Sequence, residues 1–278
     1  MIANLVIGVL GVAALGLCAT MVARHLTLEW TPSGVSGEPR QTRMADAAQR
    51  LSATLAAGFV AGALVVGVGG RFFMRVVGAT SGDSAQGRLT EASEVVGRVT
   101  IGGSVFFFFF GAVIGVLGAA GLYLFRAWLP LKSVTAGVLG AGVGAGLLAR
   151  PTDLLAPESI DFEILGPRWF AVGFAVVLIL LLGTTTCVLA DRWVQRWPKP
   201  ALSIRGVCGL LPLLPLLPLI LSGPGGVIIP VLLAGRTVWP ERRQVDSTPK
   251  DRVIAAVLIV VAAAGWMWTL AAGVEIVF

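Results

Sequence analysis

Long apolar stretches separated by short bunches of charge set the frame of this chain. Between the bunches lie runs of about 17 to 26 residues with almost no Asp, Glu, Lys or Arg, and about 20 apolar residues in helix cross a hydrocarbon layer of ~30 Å. The pattern predicts an all-α integral membrane protein, a single transmembrane domain over residues 1–278. Its spans are expected at about 1–22, 51–70 (at most to Val77), 100–125, 133–149, 169–190 and 253–274. The first resembles a signal peptide only superficially. No Lys or Arg precedes it and it is longer than an ordinary apolar core of a leader, so it is read as a retained helix.

Residues 206–234 break the pattern. This stretch carries Pro212, Pro215, Pro218, Pro224 and Pro230, with Ser222, Gly223, Pro224, Gly225 and Gly226 near its middle. Interior prolines remove backbone donors and kink a helix, and the glycine cluster marks a turn. Two full crossings need about 40 residues, more than this stretch supplies. The expectation is a bundle of six transmembrane helices plus a Pro/Gly-broken re-entrant or kinked hairpin, with seven or eight spans as alternatives.

Composition and charge agree with lipid as the solvent: 56% of residues are hydrophobic and 13% charged. The net charge of +6 would suggest nucleic acid in a soluble chain, but no basic stretch here interleaves with aromatics, and nucleic acid is excluded as a partner. Cationic connectors are retained on the cytoplasmic side of a membrane. With the N-terminus outside and 206–234 returning to its own side, the cytoplasmic segments hold 15 Lys and Arg and the outer ones 6. A single crossing of 206–234 would give 10 against 11. The returning path is therefore preferred, with Arg-rich loops cytoplasmic in a bacterial inner membrane. The bacterial assignment rests on usage, 18 Arg against 3 Lys in an Ala-, Gly- and Val-rich chain. Trp30, Trp128, Trp169, Trp193, Trp197 and Trp239 fall near span ends as interfacial anchors. Trp266 and Trp268 lie deeper and receive no role.

Candidate chemistry is sparse. Glycines four apart recur at Gly58 and Gly62, Gly111 and Gly115, Gly140 and Gly144, and Gly142 and Gly146; such pairs let helix backbones approach closely in lipid. Packing within the bundle is favoured over a dedicated dimer face, with the fourth helix as the central one. Arg71 and Arg75 share a helix face at the expected lip of the second span, and Glu91 and Glu94 share one downstream. They read either as an anion or headgroup site or as ion pairs fastening the outer loop. The loop 150–168 holds Asp153, Glu158, Asp161 and Glu163 in no calcium-loop spacing. Ser222 to Gly226 could line a path, since broken backbone at membrane depth often does. Thr184, Thr185 and Thr186 could add hydroxyls.

No catalytic residue, metal site or cofactor is assigned. Cys18, Cys187 and Cys208 stand apart, and the only histidine, His25, sits beside Arg24 where a headgroup contact is expected. Span interiors are expected to lack ionisable groups, which argues against coupled transport. The sequence by itself does not say what the protein does. Three readings remain. The first is a non-catalytic accessory or scaffold subunit whose glycine faces dock other membrane helices, a second copy included. The second is a small transport, channel-like or lipid-handling protein, and the third a membrane enzyme acting on a lipid-linked anionic substrate. The lipid bilayer is the one partner common to all three.

Overall fold

Apolar side chains all round, glycines at the contacts and charge only near the ends are what a helix in lipid requires, and helices are what form. The computed structural model describes residues 2–28, 40–81, 87–88, 100–126, 128–129, 132–152, 166–196 and 249–277. Helix α1 spans Ile2–Arg24. Helix α2, Arg40–Ala61, runs without interruption through a π-helical segment, Gly62–Val68, into α3, Gly69–Thr80. Then follow α4 (Ile101–Phe125), α5 (Ser133–Thr152), α6 (Arg168–Arg196) and α7 (Pro249–Val277). Strands are absent among the described residues. Among the described residues five stretches are long and apolar enough to cross a membrane, and Ser133–Ala145 is a shorter apolar helix. The architecture is an all-α membrane bundle.

The α2–α3 rod is its axis. In the best apolar window of Gln49–Thr80, 61% of residues are buried, against 39% in α4 and in α6, 22% in α7 and 17% in α1. This corrects the expectation that the fourth helix is central: α5 instead packs to one side, between α6 and α7. The second span is also longer than expected. It continues as helix to Thr80, past both Gly70 and Val77, and carries Arg71 and Arg75 in its last turns. Likewise α6 continues past Ala190 to Arg196 and takes in Asp191 and Arg192. Residues 40–50, expected in a loop, open α2 just after the last of the breakers Pro32, Gly34, Gly37 and Pro39.

Glycines set the closest approach. A Cβ built on Gly58 would overlap the Gly115 carbonyl oxygen, and one on Gly62 the Gly111 carbonyl oxygen, so α2 and α4 meet backbone to backbone. The π segment extends this seam. Its i→i+5 bonding brings residues five apart toward one face, and both Gly62 O and Gly67 N crowd Gly111, at 2.6 and 2.5 Å from a Cβ built there. Gly137 packs in the same way against Gly183 and Thr184 to join α5 to α6. Around these seams lie small clusters such as Ala57, Ala61, Leu189 and Ala190 between α2 and α6, and Leu122, Leu129, Ala136 and Cys187 between α4, α5 and α6.

Trp266 finds its role here. Gly142 leaves room for its indole, whose N–H donates to the Val138 carbonyl at 3.1 Å and so joins α7 to α5. Trp266→Phe keeps the ring and removes the donor. It is expected to lower stability by about 1 kcal/mol, and Gly142→Leu by more, measured as detergent-solubilised unfolding; equal stability of both variants would refute the assignment. Trp268 packs with Ala272, Ile276 and Val172. Gly273, near the end of α7, meets Val172, near the start of α6, which makes α7 antiparallel to α6. The end of α6 and the start of α7 therefore lie at the same end of the bundle.

Candidate functional site

Polar side chains gather at two ends. At the first, α4 ends at Arg126, α5 begins at Ser133, and α6 passes with Asp191. Arg126 Nη2 donates to Asp191 Oδ2 at 2.9 Å, and Ser133 Oγ donates to the same oxygen at 2.6 Å. The three are 5%, 0% and 4% exposed, in that order, so this is an enclosed ion pair and not a surface bridge. The charges also suit the helix dipoles: a cation closes α4 at its negative end, and an anion faces the positive start of α5. The Ser133 backbone N–H donates to the Leu28 carbonyl at 3.0 Å, which ties in the turn after α1. Nearby, Gln49 Nε2 donates to Val194 O at 3.4 Å and Tyr123 OH to Ala47 O at 3.3 Å, so α2 is held at the same end.

Just beyond lies His25. Arg192 Nη1 sits 3.2 Å from His25 Nε2, and since a guanidinium only donates, the imidazole accepts there and is neutral. Burial first, and then the charges of Arg192, Arg196 and Arg24, hold the His25 pKa below its ordinary 6.5. The sign follows: the contact is fully present above that ordinary value and is lost as pH falls through the lower folded value.

At the opposite end, Arg71 is 6% exposed. Its Nε donates to Ser104 Oγ and its Nη2 to Thr100 Oγ1, both at 3.4 Å, and its guanidinium carbon stands 5.4 Å from the Phe107 ring centre. Thr100 is the N-cap of α4, its hydroxyl accepting from Gly103 N at 3.1 Å. The guanidinium thus rests against the positive end of a second helix. Of the run Phe106 to Phe110, Phe107 is the one turned toward Arg71, while Phe106, Phe108, Phe109 and Phe110 are exposed along α4. Arg75 follows Arg71 one turn later and is half-buried. Beyond it, Thr80 Oγ1 donates to Gly166 O at 3.1 Å and Gly166 N to Ser81 Oγ at 3.2 Å, joining α3 to the start of α6.

The remaining expectations divide clearly. Glu91 and Glu94, the carboxylates of 153–165, Ser222, Gly223, Pro224, Gly225 and Gly226, and Cys208 lie outside the described residues, as does the side-chain environment of Gly146. Gly140 faces Leu122, whereas Gly144 has nothing described within 4 Å of a built Cβ. Thr184 and Thr186 bond back to Leu180 O and Leu182 O, each at 2.7 Å, and Thr185 is fully enclosed; none of the three opens to a path among the described residues. Cys18 and Cys187 are free thiols. No group of His, Cys, Asp and Glu able to hold a metal occurs among the described residues.

Sequence reasoning missed the Arg126, Ser133 and Asp191 cluster. A signal existed: each lies at a span end that the charge count assigns to one side, and Asp191 is the lone acid among the cations after the fifth span. No family model matches the chain, and neither a curated protein nor a solved structure does so.

Proposed function

We propose that this is a lipid-handling protein of a bacterial inner membrane, holding an anionic headgroup at Arg71 and Arg75 in the outer half of the bundle. The observation that carries the reading is the burial of Arg71 within a membrane-spanning helix, against the first turn of α4. A charge enclosed in a helix of membrane length is costly and marks a functional group by default. A guanidinium fork, a second arginine one turn along the same face and a helix N-terminus present donors and positive potential together, and phosphate is their complement.

Sidedness draws support from the flanks of residues 197–248. Because α6 ends and α7 begins at one end of the bundle, the returning path keeps 15 Lys and Arg on one side and 6 on the other, and the larger group belongs in the cytoplasm. The N-terminus and the Arg71 end then face outward.

The test is retention of phosphatidylglycerol in nanodiscs, read by native mass spectrometry. Arg71→Gln with Arg75→Gln is expected to weaken retention about tenfold, the value of one charge-assisted contact or more, with an unchanged unfolding temperature. Undiminished retention, or loss of fold in step with loss of lipid, would instead assign the pair to fastening the outer loop through Glu91 and Glu94. Turnover of a lipid-linked phosphate in the same preparation would favour the enzyme reading.

The scaffold reading stands second. It rested on glycine faces free to dock other helices, and Gly58, Gly62, Gly111, Gly115 and Gly142 all meet neighbouring helices of this chain. What favours it still is that Gly118 of α4 and Gly144 of α5 have nothing described within 4 Å of a built Cβ.

A further inference from the structure

The end of the bundle that holds Asp191 carries a second basic cluster, separate from Arg71. Helix α1 finishes in Arg24, with His25 opening the turn after it, and α6 carries Arg192 and Arg196 in its last turns, close enough that all three arginines act on the imidazole. Arg192 gives Nη1 to His25, yet its Nε is enclosed and meets no acceptor among the described residues. The carboxylate next to it in sequence is committed elsewhere, since Asp191 Oδ2 receives Arg126 and Ser133. Of the other charged groups packed at this end, Lys132 is exposed at the start of α5, while Asp46 and Arg50 belong to α2. An enclosed guanidinium N–H without an acceptor is costly to leave unmade. Together with Arg24 and Arg196 it calls for an anion with several oxygens.

We propose that Arg24, His25, Arg192 and Arg196 form a phosphate-binding site at the junction of α1 and α6, built for the phosphodiester of an anionic lipid headgroup or for inorganic phosphate. Arg192 supplies the fork. Its Nε, enclosed as it stands, reaches a phosphate oxygen once the side chain turns toward the anion, and its position in the last turns of α6 sets the depth at which a headgroup would lie. Arg24 and Arg196, both exposed, supply charge from either side. An anion beside the three arginines favours the protonated imidazole, whose Nε2 then releases Arg192 Nη1 and donates to the anion instead. The site depends neither on the Arg71 reading nor on which face of the membrane it occupies.

Because His25 is the only histidine, its imidazole NMR signals report on this site without interference. The full chain, labelled at histidine, is placed in nanodiscs of phosphatidylcholine alone, of phosphatidylcholine with inorganic phosphate added, and of phosphatidylcholine mixed with phosphatidylglycerol. The titration midpoint of His25 is expected to rise by about one pH unit when the anion is supplied. A rise with phosphatidylglycerol only names the headgroup; a rise with inorganic phosphate names the free anion. Arg192→Lys keeps the charge and loses the fork, so it should forfeit most of the rise, and exposed Arg196→Gln should forfeit part of it. No rise under either condition would overturn the proposal. So would a rise of equal size in Arg192→Lys, because membrane surface potential alone would then account for it.

Discussion

Asp191→Ala is expected to destabilise the bundle by about 3–5 kcal/mol, the cost of leaving a buried cation without its counter-ion. Arg126 and Ser133 both donate to one carboxylate oxygen at under 3 Å from enclosed positions. Removal of that oxygen takes the counter-charge from a buried guanidinium between three helices. Arg126→Met should cost a comparable amount, because it strands the carboxylate instead. The double variant Arg126→Met, Asp191→Leu is the informative one. Replacing both partners by apolar groups of similar volume is often neutral or better, so the double variant should be more stable than either single one. Reversible unfolding of the purified protein in mixed micelles measures all three. Additive losses in the double variant would show that the pair contributes nothing as a pair.

The second large effect lies in the seam between α2 and α4. Gly62→Leu is expected to exceed the roughly 1–3 kcal/mol of ordinary overpacking, because what a side chain would meet is the Gly111 carbonyl and the Gly115 backbone, not a flexible side chain. Helix α4 would have to move away along most of its length. The control is Gly118→Leu, on the same helix as Gly111 but with nothing described within 4 Å of a built Cβ; it should change stability little. Equal behaviour of the two variants would mean that the glycine seam does not set the spacing of the helices.

These two sites differ in how far they could be read from the chain. Gly58, Gly62, Gly111 and Gly115 are visible as pairs four apart, and an α-helical period alone puts each pair on one face. Which pair meets which is not visible, and neither is the part played by Gly67. It joins the seam because seven residues of the rod adopt π geometry, and the sequence GALVVGV has no mark that distinguishes a π from an α turn. Trp266 is similar. Its depth could be seen, but its partner carbonyl belongs to Val138 and is reached only because Gly142 stands beside it.

The Arg126, Ser133 and Asp191 cluster was hidden for another reason. Charge at a span end looks like the edge of the membrane, so the reading stopped the fifth span at Ala190 and left Asp191 in a loop. A paired carboxylate, however, is neutralised in place, and the helix can carry it on to Arg196 within protein. In the same way the charge at Arg71 marks a span end near Gly70 or Val77, whereas the helix continues to Thr80.

Hydrophobic runs of membrane length by themselves determined that this chain is a helical membrane bundle, and roughly where its helices lie. They could do so because transfer from water to hydrocarbon is a property of each segment alone. The tertiary structure decided that α2 and α3 form the axis, that Arg126 and Asp191 meet, and that Arg71 rests on the start of α4. Those outcomes depend on which backbones can approach closely enough to touch and on which charges find a partner once they do, and both belong to pairs of segments far apart in the chain.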